Sequence, residues 1–130
     1  MHWQRQFLHP MLKVFDAPSR EECTAERPRS NTPLAALTLL NDPTFVEASR
    51  AFAGRILQTG GETTESRLDL AFRRALSRSP DPLEIEILRR LLESNRKRYV
   101  SDSAAAEEVV SAGLRPVADG IDRVELAAWT

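Results

Sequence analysis

The sequence predicts an all-α protein of about six helices, arranged as an irregular bundle, with an extended N-terminal arm that contains prolines. Helix-start signals recur along the chain: Thr32-Pro33, Asp42-Pro43 and Asp81-Pro82 each join a capping side chain to a proline. Proline is tolerated in the first turn of a helix, where its missing N–H has no intrahelical partner. Between these signals, apolar residues return every three or four positions, which is the period of an α-helix.

Size and charge exclude some classes of protein. The 130 residues fit one domain, and 42% apolar and 28% charged residues are ordinary for a globular chain. Eighteen basic against nineteen acidic side chains give a net charge of −1, whereas nucleic-acid binders normally carry a basic excess. We therefore expect no nucleic-acid partner. We also expect no membrane span, because no apolar run reaches about 18 residues.

Residues 1–31 differ from the rest because they contain Pro10, Pro18 and Pro28 and show no sustained period. We interpret them as an arm packed on a helical body at 32–130, with a short strand near residues 12–15. The first residues also lack the apolar core of a secretory signal, so this chain by itself favours a cytoplasmic location.

The first helix of the body is almost wholly apolar. Thr32 is its expected N-cap, Pro33 its first residue and Asn41 its left-handed C-cap. A helix without a polar face has to be surrounded by other elements. The sequence therefore predicts that this helix lies buried at the centre of the body.

Five more helices are predicted, each from a cap and an apolar period. The fourth is the longest, with Asp81 and Glu84 forming a capping box. The last opens with a second capping box, Asp122 to Glu125, and is expected to be truncated, since Thr130 follows after about two turns. The expected ranges are 43–58, 64–78, 82–99, 103–112 and 123–130. The expected core face of the fourth helix is Ile87, Leu88, Leu91, Leu92 and Tyr99.

No catalytic residue, metal site or cofactor is predicted in this chain. His2, His9 and Cys23 match no structural zinc spacing, and no Cys-x-x-Cys-His haem motif occurs. Cys23 is not paired in the sequence with any obvious general base, so it is not a candidate nucleophile.

One polar cluster is a candidate site, although structural roles are favoured for it. Asp42 and Asn41 have capping roles, Asp16 suits a turn, and the two arginines are able to pin the arm by ion pairs. The cluster consists of Asp16, Arg27, Arg29, Asn31, Asn41 and Asp42.

Several runs of the chain carry a resemblance to a known family: residues 15–23, 31–34, 37–43, 45–48, 71–76 and 125–130, together with Arg27, Arg29, Arg78 and Pro80. They resemble a planctomycete domain of unknown function that typically forms the C-terminal region of large proteins with cytochrome c domains. The resemblance implies an envelope or periplasmic location and an accessory role in electron transfer or polysaccharide use. It implies no activity that is transferable to particular residues.

The functional expectation is a non-catalytic helical module that packs against upstream domains of a larger planctomycete envelope protein, or self-associates through exposed apolar surface. The alternative is a fragment of an enzyme or of an electron-transfer accessory linked to polysaccharide use, whose site is completed by upstream chain.

Overall fold

The structure, a computed structural model, describes residues 8–18, 23, 25–26, 31–117 and 120–130. These residues form helices without strands, so the all-α prediction is confirmed. The chain divides into two compact units, Met1–Asp42 and Pro43–Thr130. The described helices are α1 (Pro10–Val14), α2 (Pro33–Asn41), α3 (Pro43–Thr59), α4 (Thr64–Leu76), α5 (Pro82–Ser101), α6 (Ser103–Ser111) and α7 (Arg123–Trp129). Within the described ranges, no helix combines the length and hydropathy needed to cross a membrane.

The prediction of a strand near residues 12–15 is wrong, because α1 occupies this stretch. The Nδ1 atom of His9 accepts a hydrogen bond from the Met11 N–H at 3.3 Å, and Pro10 stands in the first turn. The chain turns after α1 at Asp16, whose φ of 54° is left-handed. Local capping thus accounts for one helical turn that hydrophobic periodicity could not indicate.

Both ends of α2 were expected to be capped. At the N-terminus, Thr32 Oγ1 accepts from the Ala35 N–H at 3.2 Å, as predicted. At the other end, Asn41 is the last helical residue and Asp42 is the C-cap, in an extended conformation. The prediction of a left-handed cap at Asn41 is therefore wrong.

The prediction that α2 is the buried centre of the body is also wrong. None of its nine residues is buried, and Leu40 is 75% exposed. The apolar sequence of α2 predicts burial, but burial depends on neighbouring elements that the sequence of one helix does not specify. Its exposed large side chains are Leu34, Leu37, Leu39 and Leu40, here called the α2 leucine surface.

The centre of the second unit is α7, which contacts α3, α5 and α6. Leu126 is 2% exposed, and Ala127 and Ala128 are buried beside it. Two successive alanines let the neighbouring helices approach the α7 backbone closely. A helix of seven residues is marginal by itself, so its stability comes from this packing. The remaining buried members of the cluster are Ala53, Leu92, Tyr99, Ala106 and Val110.

A polar network attaches α7 to α5. Asp122 caps α7 by accepting from the Glu125 N–H at 2.7 Å, as expected. The Glu125 carboxylate, which the capping box would direct back to Asp122, instead accepts from Arg96 Nε at 2.9 Å and from Trp129 Nε1 at 2.8 Å. The hydrogen bond from Arg96 is the largest cause that holds the pKa of Glu125 below its usual range, and the bond from Trp129 lowers it further.

The capping box of α5 is confirmed in both directions. Asp81 Oδ1 accepts from the Glu84 N–H at 2.8 Å, and Glu84 Oε2 accepts from the Asp81 N–H at 2.9 Å. Arg78 also binds this carboxylate with two N–H groups, and it is the main cause that lowers the pKa of Glu84 to about 2. The preceding helix, α4, ends at Leu76, two residues earlier than predicted, and the left-handed residue Ser77 is its C-cap.

Only part of the expected core face of α5 is buried. Leu92 and Tyr99 are buried and Leu88 is half-buried, but Ile87 and Leu91 are exposed. The apolar positions of α5 cover a wide arc of its surface, and α4, α6 and α7 cover only one side of it. The prediction that Ile87 and Leu91 belong to the core is wrong.

Replacing Leu126 by Ala should lower the free energy of unfolding by about 2–5 kcal/mol, because a cavity would open where α7 meets its neighbours. Urea unfolding followed by circular dichroism measures this loss. The control is Leu114→Ala, at a side chain that is 99% exposed, where a change within about 0.5 kcal/mol is expected. Similar losses for the two variants would contradict a core centred on α7.

Glu125 should also make stability depend on pH. Because its pKa is lower in the folded protein, its contribution is present above the pKa of the unfolded chain, about 4.3, and is lost as the pH falls through the folded pKa. Glu125→Gln should therefore destabilise the protein at pH 7, and the difference from wild type should shrink below about pH 4. Urea unfolding at a series of pH values tests this.

The control for the amide substitution is Glu108→Gln, at an exposed position on α6. It should change the free energy of unfolding by no more than about 0.5 kcal/mol at pH 7. A Glu125→Gln effect that is the same at neutral and acidic pH would show that the carboxylate charge does not contribute.

Candidate functional site

The predicted polar cluster is spread along the first unit. Asn31 precedes α2 and Asn41 ends it, so about ten residues of helical rise, roughly 15 Å, separate them. Asn31 and Asn41 are exposed, whereas Asp16 and Asp42 are half-buried. Asn31 and Asn41 are too far apart to hold one small ligand together. Arg27 and Arg29 lie outside the described residues, and a binding role for the cluster stays a prediction.

The described residues show no group of three or more His, Cys, Asp or Glu side chains that could hold a metal ion. The Nδ1 atom of His9 is used as the cap of α1, and Cys23 is exposed. His2 lies outside the described ranges.

The second unit contains a buried arginine that the sequence analysis missed. Arg50 of α3 is 4% exposed, and its guanidinium donates from Nη1 to the Val110 carbonyl at 2.7 Å and from Nη2 to the Arg115 carbonyl at 2.5 Å. Val110 lies in the last turn of α6, where carbonyls lack intrahelical partners and the helix dipole favours a positive charge. Arg50 therefore caps α6 from another helix. The sequence does contain a signal for the burial of Arg50. It lies three and four residues before Ala53 and Gly54, which are buried, and therefore on the same face of α3.

Glu47, nearly one turn before Arg50, binds the loop that follows α6. Its carboxylate accepts a hydrogen bond from the Leu114 N–H. This bond is the largest cause that lowers the pKa of Glu47, and a bond from the Arg115 N–H is the second largest. Gly113 suits this close approach, because its φ is 89° and a Cβ there would overlap Glu47 Oε2. One acid and one base on α3 thus hold the loop.

Arg50 and Arg115, which are joined by one of these bonds, line a cleft of about 380 Å³. Gly54, Val117, Ile121 and Leu126 supply apolar surface, while Arg55, Gln58 and Arg115 supply polar groups. Guanidinium groups are able to bind an anion, but no described lining residue is a carboxylate, histidine, cysteine or hydroxyl side chain. The described lining alone therefore supports binding rather than acid–base or nucleophilic chemistry. Its loop continues through residues 118–119, which lie outside the described part.

Replacing Arg50 by Met should lower the free energy of unfolding by about 2–4 kcal/mol, because two buried or half-buried carbonyls lose a charged donor. The matched control is Arg55→Met, an exposed arginine on the same helix, with an expected change within about 0.5 kcal/mol. Chemical unfolding of both variants measures the difference. An Arg50→Met protein as stable as wild type would show that the guanidinium does not hold α6 and the loop.

Comparison with known proteins identifies a family but no characterised relative. The model of PSD1, described as a protein of unknown function (DUF1553), matches residues 1–92. No curated protein and no solved structure matches the chain. The matched region includes the first unit, α3, α4 and the first half of α5. The expected resemblance to a domain of unknown function is confirmed, and the chain belongs to the PSD1 (DUF1553) family.

Proposed function

We propose that this chain is a non-catalytic helical interaction module that docks against other domains of a larger protein through the α2 leucine surface. The observation that carries the proposal is the exposure of α2, a nine-residue helix with no buried residue and four exposed leucines. Fully burying one leucine contributes about 1.5–3 kcal/mol relative to leaving it in water. Exposed apolar surface of this kind marks interaction sites in proteins.

The distribution of the leucines indicates the shape of the partner surface. At 100° per residue, Leu34 and Leu39 lie about 140° apart around the helix. Leu37 and Leu40 lie in the larger, remaining part of the circle, so the four leucines together cover more than half of the helix surface. A flat surface would cover only one side of such a helix. A groove that encloses α2 would cover all four side chains, as in helix-in-groove recognition.

The family supports a partner within the same polypeptide. The partner we propose is an upstream domain, on the expectation from the resemblance that such domains form the C-terminal region of large planctomycete envelope proteins with cytochrome c domains. The alternative, a fragment of an enzyme or of an electron-transfer accessory linked to polysaccharide use, needs reactive groups from elsewhere. The cleft beside Arg50 offers only arginine and glutamine as polar side chains among its described lining residues. The proposal requires no cofactor in this chain.

The proposal is tested by one substitution in two contexts. Leu37→Glu should change the free energy of unfolding of the isolated chain by no more than about 0.5 kcal/mol, because Leu37 is exposed there. At the matching position of a longer family member it should cost about 2 kcal/mol or more, since a charge would enter a closed apolar groove. Differential scanning calorimetry of both proteins measures this contrast.

The control is Leu114→Glu, which should be neutral in both contexts because this side chain is 99% exposed on the second unit. An equal effect of Leu37→Glu in the isolated chain and in the longer protein would overturn docking through α2.

A further inference from the structure

Helix α5 carries a second exposed apolar surface, distinct from that of α2. Leu83, Ile87 and Leu91 are 68%, 56% and 56% exposed, and their four-residue spacing places them on one face of the helix. We call these three residues the α5 stripe. The side of α5 that contains Leu92 and Tyr99 is buried in the core of the second unit. The α5 stripe therefore lies on a rigid helix held in place from the other side.

We propose that the α5 stripe is a self-association surface, through which two copies of this chain pair with antiparallel α5 helices about a two-fold axis at Ile87. This inference goes beyond docking through α2, because it assigns a different surface and a different partner.

The spacing of the stripe fits two-fold symmetry. Leu83 and Leu91 each lie four residues, about 6 Å, from Ile87 along the helix. In a two-fold interface the same patch is used by both copies and has to be complementary to itself. Antiparallel pairing places Leu83 of one copy opposite Leu91 of the other, and the two Ile87 side chains meet at the axis.

The charges beside the stripe select the antiparallel arrangement. Glu86 and Arg90 lie on the same flank of the stripe, and Arg90 Nε contacts Glu86 Oε1 at 2.7 Å within each helix. Around an axis at Ile87, Arg90 of one copy comes within about 3 Å, along the helix axis, of Glu86 of the other. These two intrahelical pairs are thus able to form a four-membered alternating network across the interface.

Parallel pairing of the two stripes would bring identical residues together. Glu86 of one copy would then lie level with Glu86 of the other, and Arg90 with Arg90. Parallel pairing would set like charges together, which opposes association.

The size of the stripe sets the expected strength. It spans about 12 Å of one helix, so the interface lies at the small end of specific protein contacts. We expect a weak dimer whose population rises with protein concentration.

A charge exchange at the axis tests the proposal. Because Ile87 faces itself, Ile87→Glu or Ile87→Lys alone would place two like charges at the closest approach and should weaken dimerisation at least tenfold. Mixing the two variants pairs opposite charges and should restore a heterodimer. Sedimentation equilibrium over a concentration series measures these changes, with Leu114→Glu as the control that should dimerise like wild type. The proposal is overturned by a wild-type chain that stays monomeric, or by variants that dimerise as wild type does.

Disulfide trapping tests the geometry independently. In a Cys23→Ser background, Ile87→Cys should give a covalent dimer under mild oxidation, because the two substituted positions meet at the axis. Val100→Cys is the control, since this residue is also exposed on α5 but lies well away from the stripe around the helix. Equal cross-linking at both positions, or none at either, would overturn the two-fold arrangement. If Leu37→Glu abolished self-association and Ile87→Glu left it intact, the α5 stripe would not be the self-association surface. That outcome would not contradict docking through α2.

Discussion

The second unit depends on the burial of one short helix. Helix α7 has only seven residues, yet it contacts α3, α5 and α6, and Leu126, Ala127 and Ala128 form its buried part. These three helices come together around a backbone that alanine keeps narrow. Glu125 then fixes the rotation of α7 about its own axis, because its carboxylate binds Arg96 of α5 while also accepting from Trp129. The helix is stable because of this environment and not because of its length.

Charged groups on α3 hold the chain between α6 and α7. Arg50 caps the last turn of α6 and binds the carbonyl of Arg115, while Glu47 binds the backbone N–H of Leu114. The two side chains have opposite charges and lie nearly one turn apart, and the charge of Arg50 adds to the backbone hydrogen bonds that lower the pKa of Glu47. By fixing this loop, they also position the chain that leads into α7. A buried guanidinium therefore serves the architecture of this unit, and the cleft beside it is a consequence of the same arrangement.

The local features of the fold were predictable, whereas the pattern of burial was not. The caps formed by Thr32, Asp81 and Asp122 involve residues within one turn, so their sequence signals were sufficient. Burial depends on which faces meet in three dimensions. For that reason the most apolar helix, α2, is exposed, and Ile87 lies in water although it has the spacing of a core residue. Arg50 was missed as a core residue because arginine is normally found at the surface. The candidate cluster rests on polar residues in the loops around α2, and in the structure Asn31 precedes this helix while Asn41 ends it.

The second unit has its own core around α7, whereas no residue of α2 is buried. Amide hydrogen exchange of the isolated chain, measured residue by residue by NMR, tests this division most directly. We expect the amides of α7 to exchange among the slowest, at a rate set by global unfolding, and those of α2 to exchange much faster through local opening. Protection of α2 equal to that of α7 would contradict this division.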